Sequence, residues 1–342
     1  MAIRKRKTGN VTLKDIAQAT GFSANTVSRA LADKPDISEE TKAVIREKAS
    51  EMGYIANALA SFLRSGVSRN IAIIVGDIAN PHFSVMVKEM QTMLQRKGYN
   101  SIIFNSEEKA AMERQAITLS LSQNVDGILL CPAPGGEENI RFLQEHGKPF
   151  VMLGRHFGKQ NASFVVCDDV HGGYAATKHL LEHGHRNILF LNGPKGISSA
   201  EERQRGYRKA LEEAGIPYRG ELVQTIPVSV AGGRQKEKVR NILASREECT
   251  AILVFSDILA WQVVCILNEM GKRVPEDCSV AGFDNIRYPY PLRLTSVTSS
   301  KTTMAKRSVE ILLKKLEGKI GVEESGVVLK TEVVEGQTVA SI

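Results

Sequence analysis

The chain has 342 residues, of which 42% are hydrophobic and 24% charged, and it carries a formal net charge of +7. That balance is ordinary for two or three soluble domains, and no apolar run approaches the roughly 18 residues of a membrane span. The five cysteines, Cys131, Cys167, Cys249, Cys265 and Cys278, are scattered without a Cys-x-x-Cys pair, which argues against zinc or redox work and fits a reducing cytoplasm.

Arg4-Lys5-Arg6-Lys7 forms a basic arm with no apolar h-region behind it, so it does not read as a signal peptide. Two short apolar-periodic segments then meet at Gly21. Thr12 precedes Leu13, Ile16 and Ala17, and Ser23 precedes Val27, Ala30 and Leu31, so each segment buries one helical stripe. Thr12 with Asp15 resembles a capping box, Ser23 is placed to cap the second helix, and Gly21 suits a turn needing positive φ. This is the outline of a helix-turn-helix. Its second helix turns Ala24, Asn25, Thr26, Ser28 and Arg29 outward, residue types that can enter a major groove and donate to base edges and phosphates. A third helix is expected from Ser38, with Glu39 and Glu40 in its first turn and Val44, Ile45, Ala49 and Met52 completing a three-helix bundle. Residues 1–66 hold 11 Lys/Arg against 7 Asp/Glu, a small positive excess of the kind a phosphate backbone attracts. Two small helices of an ordinary core remain the alternative for residues 12–31 taken alone.

Residues 56–66 have helical spacing at Ala58, Leu59, Phe62 and Leu63, but about two turns cannot be stable alone in water. Beyond Gly66, β-rich runs alternate with amphipathic stretches. The expected strands are Ile71–Val75, Ser101–Phe104, Gly127–Leu130, Phe150–Leu153, Phe164–Val166, Ile188–Leu191, Thr250–Phe255 and Ser279–Ala281. Between them lie expected helices at Val85–Lys97, Met112–Ser122, Tyr174–His183, Glu201–Ala214 and Leu259–Met270. Such alternation predicts parallel sheets covered on both faces, here two similar α/β lobes with a ligand cleft beyond the strand carboxyl ends. His179-Leu180-Leu181-Glu182-His183 matches a zinc-peptidase pattern, but Gly184 reads as the stop of a helix whose last turn favours histidine, and no metal is expected. The glycine pairs at 135–136, 172–173 and 232–233 match no phosphate-binding fingerprint and no G-x-S-x-G elbow occurs, so neither a cofactor nor catalysis is expected.

With these segments in place, Thr12-x-x-Asp15-Ile16-Ala17, Gly21-Phe22-Ser23, Thr26-Val27-Ser28-Arg29-Ala30-Leu31, Ile37-Ser38-x-x-Thr41, Gly53-Tyr54-Ile55-Ala56-Asn57 and Ala60-x-x-Leu63 closely resemble the lac-repressor/gal-repressor family of bacterial transcription factors. The resemblance continues through Asn80-Pro81-His82-Phe83, Gly127-Ile128, His179-Leu180 with Gly184-His185, Arg203-x-x-Gly206-Tyr207, Ser256-Asp257-x-x-Ala260, Val280-Ala281-Gly282-Phe283-Asp284 and Leu294-Thr295-Ser296-Val297, and so spans nearly the whole chain. It implies a small all-α helix-turn-helix domain at 1–55, a hinge at 56–68 and a two-lobed periplasmic-binding-protein-like core at 69–342. The first lobe is expected at about 69–166 and 298–325, the second at about 167–297 and 326–342.

The implied partners are a palindromic double-stranded operator, a small-molecule effector with a sugar as the expected class, and a second copy of the chain. The expected DNA-contacting residues are Thr12, Ser23, Ala24, Asn25, Thr26, Ser28, Arg29, Asn57, Ala58 and Leu63. By the resemblance Ala24 and Asn25 are the specificity pair and Arg29 a further contact: Ala24 offers apolar contact, Asn25 suits adenine, Arg29 suits guanine or phosphate, and Leu63 matches the hinge leucine that wedges into the minor groove. The positions matching cleft residues are Asp77, Phe83, Arg155, Arg203, Ser256 and Asp284, an arginine and carboxylates with an aromatic platform suited to a polyhydroxylated ligand. Asp257 reads as a helix N-cap before a ligand contact, and Trp261 as core or interface before a sugar platform. Arg203 and Asp284 read as ligand contacts before a structural ion pair. Val228–Arg234 lacks the aromatic residue often found there in the family. Leucine heptads for a tetramer are missing from the last residues, so a dimer is expected. A purine- or nucleoside-responsive co-repressed regulator is the alternative within this class. A sugar-binding protein or sugar enzyme on the same core is the alternative outside it.

Overall fold

The computed structural model describes residues 11–55, 62, 66–158, 162–227, 233–287, 292–319 and 326–342. They fall into two compact units, residues 1–68 and 69–342. The basic arm and the hinge positions Asn57, Ala58 and Leu63 lie outside the described residues.

The first unit is a bundle of α1 (Leu13–Thr20), α2 (Ala24–Leu31) and α3 (Glu39–Glu51). Thr12 forms a complete capping box with Asp15, and Gly21 ends α1 in the left-handed region at φ 77°. Ser23 caps α2 by accepting from the Thr26 amide, and Ser38 caps α3 from Thr41. Ile16, Val27, Ala30, Ile45 and Ala49 meet as its core. Val44 does not join them: it is 45% exposed. Lys42 takes an inward position instead, its stem buried while Nζ reaches Glu39 at 2.6 Å and Asp33 at 3.0 Å.

The second unit holds two six-stranded sheets. The first is built from β1 (Asn70–Val75), β2 (Asn100–Asn105), β3 (Gly127–Leu130), β4 (Phe150–Leu153), β5 (Phe164–Cys167) and a late strand, β11 (Gly326–Leu329), in the order β11-β5-β4-β3-β1-β2. All its pairs are parallel, with Ile74 opposite Leu130 and Val165 opposite Val327. The second comprises β6 (Ile188–Asn192), β7 (Val223–Thr225), β8 (Ala251–Val254), β9 (Ser279–Phe283), β10 (Thr295–Thr298) and β12 (Glu332–Val334), in the order β12-β10-β9-β8-β6-β7. Only β12 runs antiparallel to its neighbour. Runs such as Ile71–Val75 and Ala251–Val254 are buried on both faces, as covered parallel strands must be.

The lobe boundary differs from expectation at its end. Residues 326–329 pair with β5 in the first sheet, and the chain crosses to the second only at Lys330 and Thr331. Residues 327–334 show little alternation because they belong to two short strands in different sheets. The three crossings between lobes are tied together. The Asp168 amide donates to Leu329 O at 2.8 Å, Thr331 Oγ1 donates to Asp168 O at 3.1 Å, and Cys167 Sγ lies 2.6 Å from Ser299 Oγ.

Candidate effector cleft and DNA-reading face

The cleft residues follow strand carboxyl ends in both lobes. Cys131 follows β3, Arg155 follows β4, Phe255 and Ser256 follow β8, and Asp284 follows β9. Two adjoining cavities of about 40 and 50 Å³ share His82, Arg203 and Asp284 in their walls. Ligand pockets for small molecules usually offer upward of about 300 Å³, so a sugar requires the lobes to part. Contacts that must then yield are His82 Nδ1 to Asp284 Oδ1 at 3.2 Å, His156 Nε2 to Glu202 at 3.3 Å, and the His156 amide donating to Ser198 Oγ at 3.1 Å.

Arg203 is the most firmly placed of these groups. It lies on α8 (Ser198–Glu213), which crosses α7 (Asp169–Glu182) at two facing glycines. A Cβ on Gly173 would stand 2.2 Å from Arg203 O, and one on Gly206 would stand 2.1 Å from Val170 O. Only glycine permits so close a crossing, and the crossing brings Arg203 to Asp169. Nε donates to Asp169 Oδ1 at 2.8 Å, Nη1 donates to Phe255 O, and the guanidinium lies 4.2 Å from the Phe283 ring centroid and 4.7 Å from that of Phe255. Burial opposes its charge, but Asp169 and Asp284 more than offset that, so it stays cationic. The ion pair of Arg203 is therefore with Asp169, a residue the sequence reading did not single out.

Asp284 has a different environment. Its backbone is at φ 103°, a region non-glycine residues rarely adopt. The strain is held by a bracket: the Asp284 amide donates to Val297 O at 2.8 Å, Asn285 to Ser296 Oγ at 2.9 Å, and Ile286 to Asp257 Oδ2 at 2.7 Å. Asp257 is the first residue of α10 (Asp257–Glu269), with Ser256 at the N-cap position. Fully buried and accepting also from Ser296 Oγ at 2.8 Å, it fixes the loop that aims Asp284 rather than capping the helix. Burial disfavours the ionised Asp284, but His82, Arg203 and Lys301 outweigh it and hold the carboxyl below its ordinary range. Lys301, whose Nζ donates to Asp284 O, opens α11 (Lys301–Leu316).

The remaining expected cleft residues divide. Phe83, on α4 (Pro81–Arg96), is buried in the first-lobe core and lines the cavity beside Ser256. Arg155 also lines it, but Glu108 holds its guanidinium at 2.5 and 3.1 Å, and Nη1 donates to Pro132 O at 3.0 Å. Asp77 is exposed and accepts from the Ala79 amide at 2.9 Å, and it is absent from the walls of both cavities. Trp261 packs in the second-lobe core. Residues 228–232 lie outside the described residues. His179 and His183 close the end of α7 with rings 4.4 Å apart, and His183 Nδ1 lies 2.8 Å from His179 O.

Two sites escaped the sequence reading. Asp169 carried a usable signal, an acidic pair, Asp168-Asp169, where a strand gives way to a helix. His82 lies in the Asn80-Pro81-His82-Phe83 motif, next to the phenylalanine that matches a cleft position.

In the first unit, α2 leaves Ala24, Asn25 and Arg29 exposed, with Asn25 and Arg29 four residues apart on one face. Thr26 and Ser28 are half-buried, Thr26 Oγ1 lying 2.9 Å from Ser23 Oγ. Arg29 is not loose: Nε donates to Asp36 Oδ2 at 2.7 Å, and Nη2 lies 2.6 Å from Oδ1.

Comparison with known proteins agrees with both halves. Residues 12–57 match the model for bacterial regulatory proteins of the lacI family, and residues 177–339 match a periplasmic binding protein-like domain. The chain is 30% identical over 305 residues to the HTH-type transcriptional regulator GalR of Salmonella typhimurium, covering 88% of each. It is 28% identical over 313 residues to the HTH-type transcriptional repressor PurR of Pectobacterium carotovorum, covering 90% of this chain and 91% of that one. Among solved structures, the transcriptional regulator CelR in complex with cellobiose is similar with a TM-score of 0.71 at 26% identity, over 96% of this chain and 100% of that one.

Proposed function

This chain belongs to the lacI family of bacterial regulatory proteins, and from that premise we propose that it is a dimeric, operator-binding repressor whose DNA affinity is set by a sugar in the cleft between the lobes. The observation that carries the sugar reading is the constellation of Arg203, Asp284, His82 and Ser256 around adjoining cavities whose walls also include Phe83, Phe255 and Phe283. Fixed donors and acceptors converge there beside aromatic faces, the combination that recognises rows of hydroxyl groups. The cellobiose-bound state of CelR supports the same class.

At the other end, Asn25 and Arg29 on the exposed face of α2 are the base-reading pair, with Ala24 beside them for apolar contact. Thr12, Ser23, Thr26 and Ser28 are assigned to the phosphate backbone. Asn57, Ala58 and Leu63 enter from the family resemblance alone as the hinge contacts. Self-association is supported by large apolar side chains left exposed on the first lobe, Ile78, Val85, Ile103, Leu119 and Val328 among the described residues.

Selection of the full-length protein against a random duplex library tests the output half. The expected result is a two-fold symmetric site. Asn25→Ala should lose roughly 1–3 kcal/mol of discrimination at one base pair of each half-site. A featureless selection, or an unchanged preference in the variant, removes the assignment.

A further inference from the structure

We propose that Asp36 is a positioning residue for base reading: its carboxylate grips the Nε–Nη2 edge of Arg29 and so presents the opposite edge of the guanidinium to a base pair. The inference rests on the reading of α2 as the base-contacting helix.

The bond is bidentate, with Nε to Oδ2 at 2.7 Å and Nη2 to Oδ1 at 2.6 Å. It uses one edge of the fork. The other edge, Nη1 with the second proton of Nη2, is the one that fits the O6 and N7 of guanine side by side. Fold stability does not account for the pair, because the two side chains are 44% and 48% exposed and ion pairs so placed contribute little.

The backbone that carries the carboxylate is also held. Asp36 belongs to the turn between α2 and α3, where the Lys34 amide donates to Arg29 O at 3.0 Å and the Ile37 amide to Lys34 O at 3.3 Å. Asp33 in the same turn is anchored to α3 through Lys42 at 3.0 Å and Arg46 at 2.6 Å. The turn thus carries two aspartates with separate tasks, one holding cations of α3 and the other holding the single arginine of α2.

Two consequences follow from elementary electrostatics and entropy. An arginine already held in one rotamer loses less freedom on meeting a base. A guanidinium neutralised by its own carboxylate is drawn less strongly to phosphates in general, and the carboxylate itself repels the polyanion. Asp36 therefore sacrifices sequence-independent affinity and gains discrimination.

The test uses the full-length protein, its selected duplex, single-base-pair variants of that duplex, and a nonspecific duplex across a salt series. Asp36→Ala should bind the nonspecific duplex more tightly, with the slope of log affinity against log salt steeper by about one. Discrimination at the base pair that Arg29→Ala identifies should fall about tenfold. Asp36→Asn, which keeps the shape and one acceptor, should fall between. In an Arg29→Ala background, Asp36→Ala should change nothing further at that base pair. Unchanged discrimination in Asp36→Ala, or an equal loss in the Arg29→Ala background, overturns the proposal while base reading by Arg29 stands. If Arg29→Ala itself leaves the preference intact, the proposal and the base-reading assignment fall together.

Discussion

Arg29 and Arg203 each meet an aspartate, yet the two pairs have opposite physical characters. Arg29 and Asp36 are half-exposed on a small bundle, where water screens them and either partner can be exchanged at little cost to the fold. Arg203 and Asp169 are buried between two tightly crossed helices and two phenylalanine rings. Removing one partner there strands the other charge in a low-dielectric interior. The contrast teaches where specificity can be changed cheaply. A surface pair can be retuned without unfolding its scaffold, whereas the cleft pair is scaffold and recognition element at once.

The largest expected effect comes from breaking the buried side of that comparison. Arg203→Ala leaves Asp169 uncompensated and should destabilise the core by roughly 3–5 kcal/mol, read by denaturant unfolding. A loss below about 1 kcal/mol would mean the pair is solvated and the contrast false.

A second buried charge sharpens the comparison through pH. Glu113, on α5 (Ala110–Ser122), is fully buried, accepting from the Ala133 amide at 2.6 Å and Asn139 Nδ2 at 2.8 Å. Burial pushes its carboxyl up to about 7, against the pull of those donors and of Arg155. The folded state thus holds the proton more tightly than the unfolded chain does. Its contribution to stability is full below about pH 4.5 and is lost as pH rises through about 7. The difference amounts to roughly 3 kcal/mol. Glu113→Gln should flatten unfolding free energy over that window, and an identical pH profile in the variant would show that the group titrates normally.

The two regions were also unequally legible in the sequence. The bundle is written in consecutive residues: Thr12, Asp15, Gly21 and Ser23 state the caps and turn directly, and the 3–4 spacing within Leu13, Ile16 and Ala17 and within Val27, Ala30 and Leu31 states its core. Arg29 and Asp36 lie only seven positions apart, but a side chain crossing to a turn leaves no periodic mark. The cleft is assembled from residues as distant in sequence as His82 and Asp284. The buried strands β1, β3, β4, β6, β8 and β9 are readable because they are apolar, whereas buried β10, Thr-Ser-Val-Thr, edge strand β7 and the split pair β11 and β12 carry no such run. Asp257 looked like a cap because it opens a helix; its buried bonds to Ile286 and Ser296 appear only when β10 folds alongside. Asp77 matched a cleft position by motif, yet the chain turns there and its carboxylate serves a local amide.

The central claim is that one ligand bound at Asp284 and Arg203 governs DNA binding by α2. Its most direct test is an anisotropy titration of the selected duplex with full-length protein and with Asp284→Ala, against a panel of mono- and disaccharides and purines. Thermal shift on the same samples reports binding by mass action. The account predicts at least one sugar that stabilises the wild-type protein and changes its duplex affinity, with both responses lost in Asp284→Ala while that variant still binds the duplex. A purine acting in place of any sugar, or a response that survives in Asp284→Ala, would contradict it.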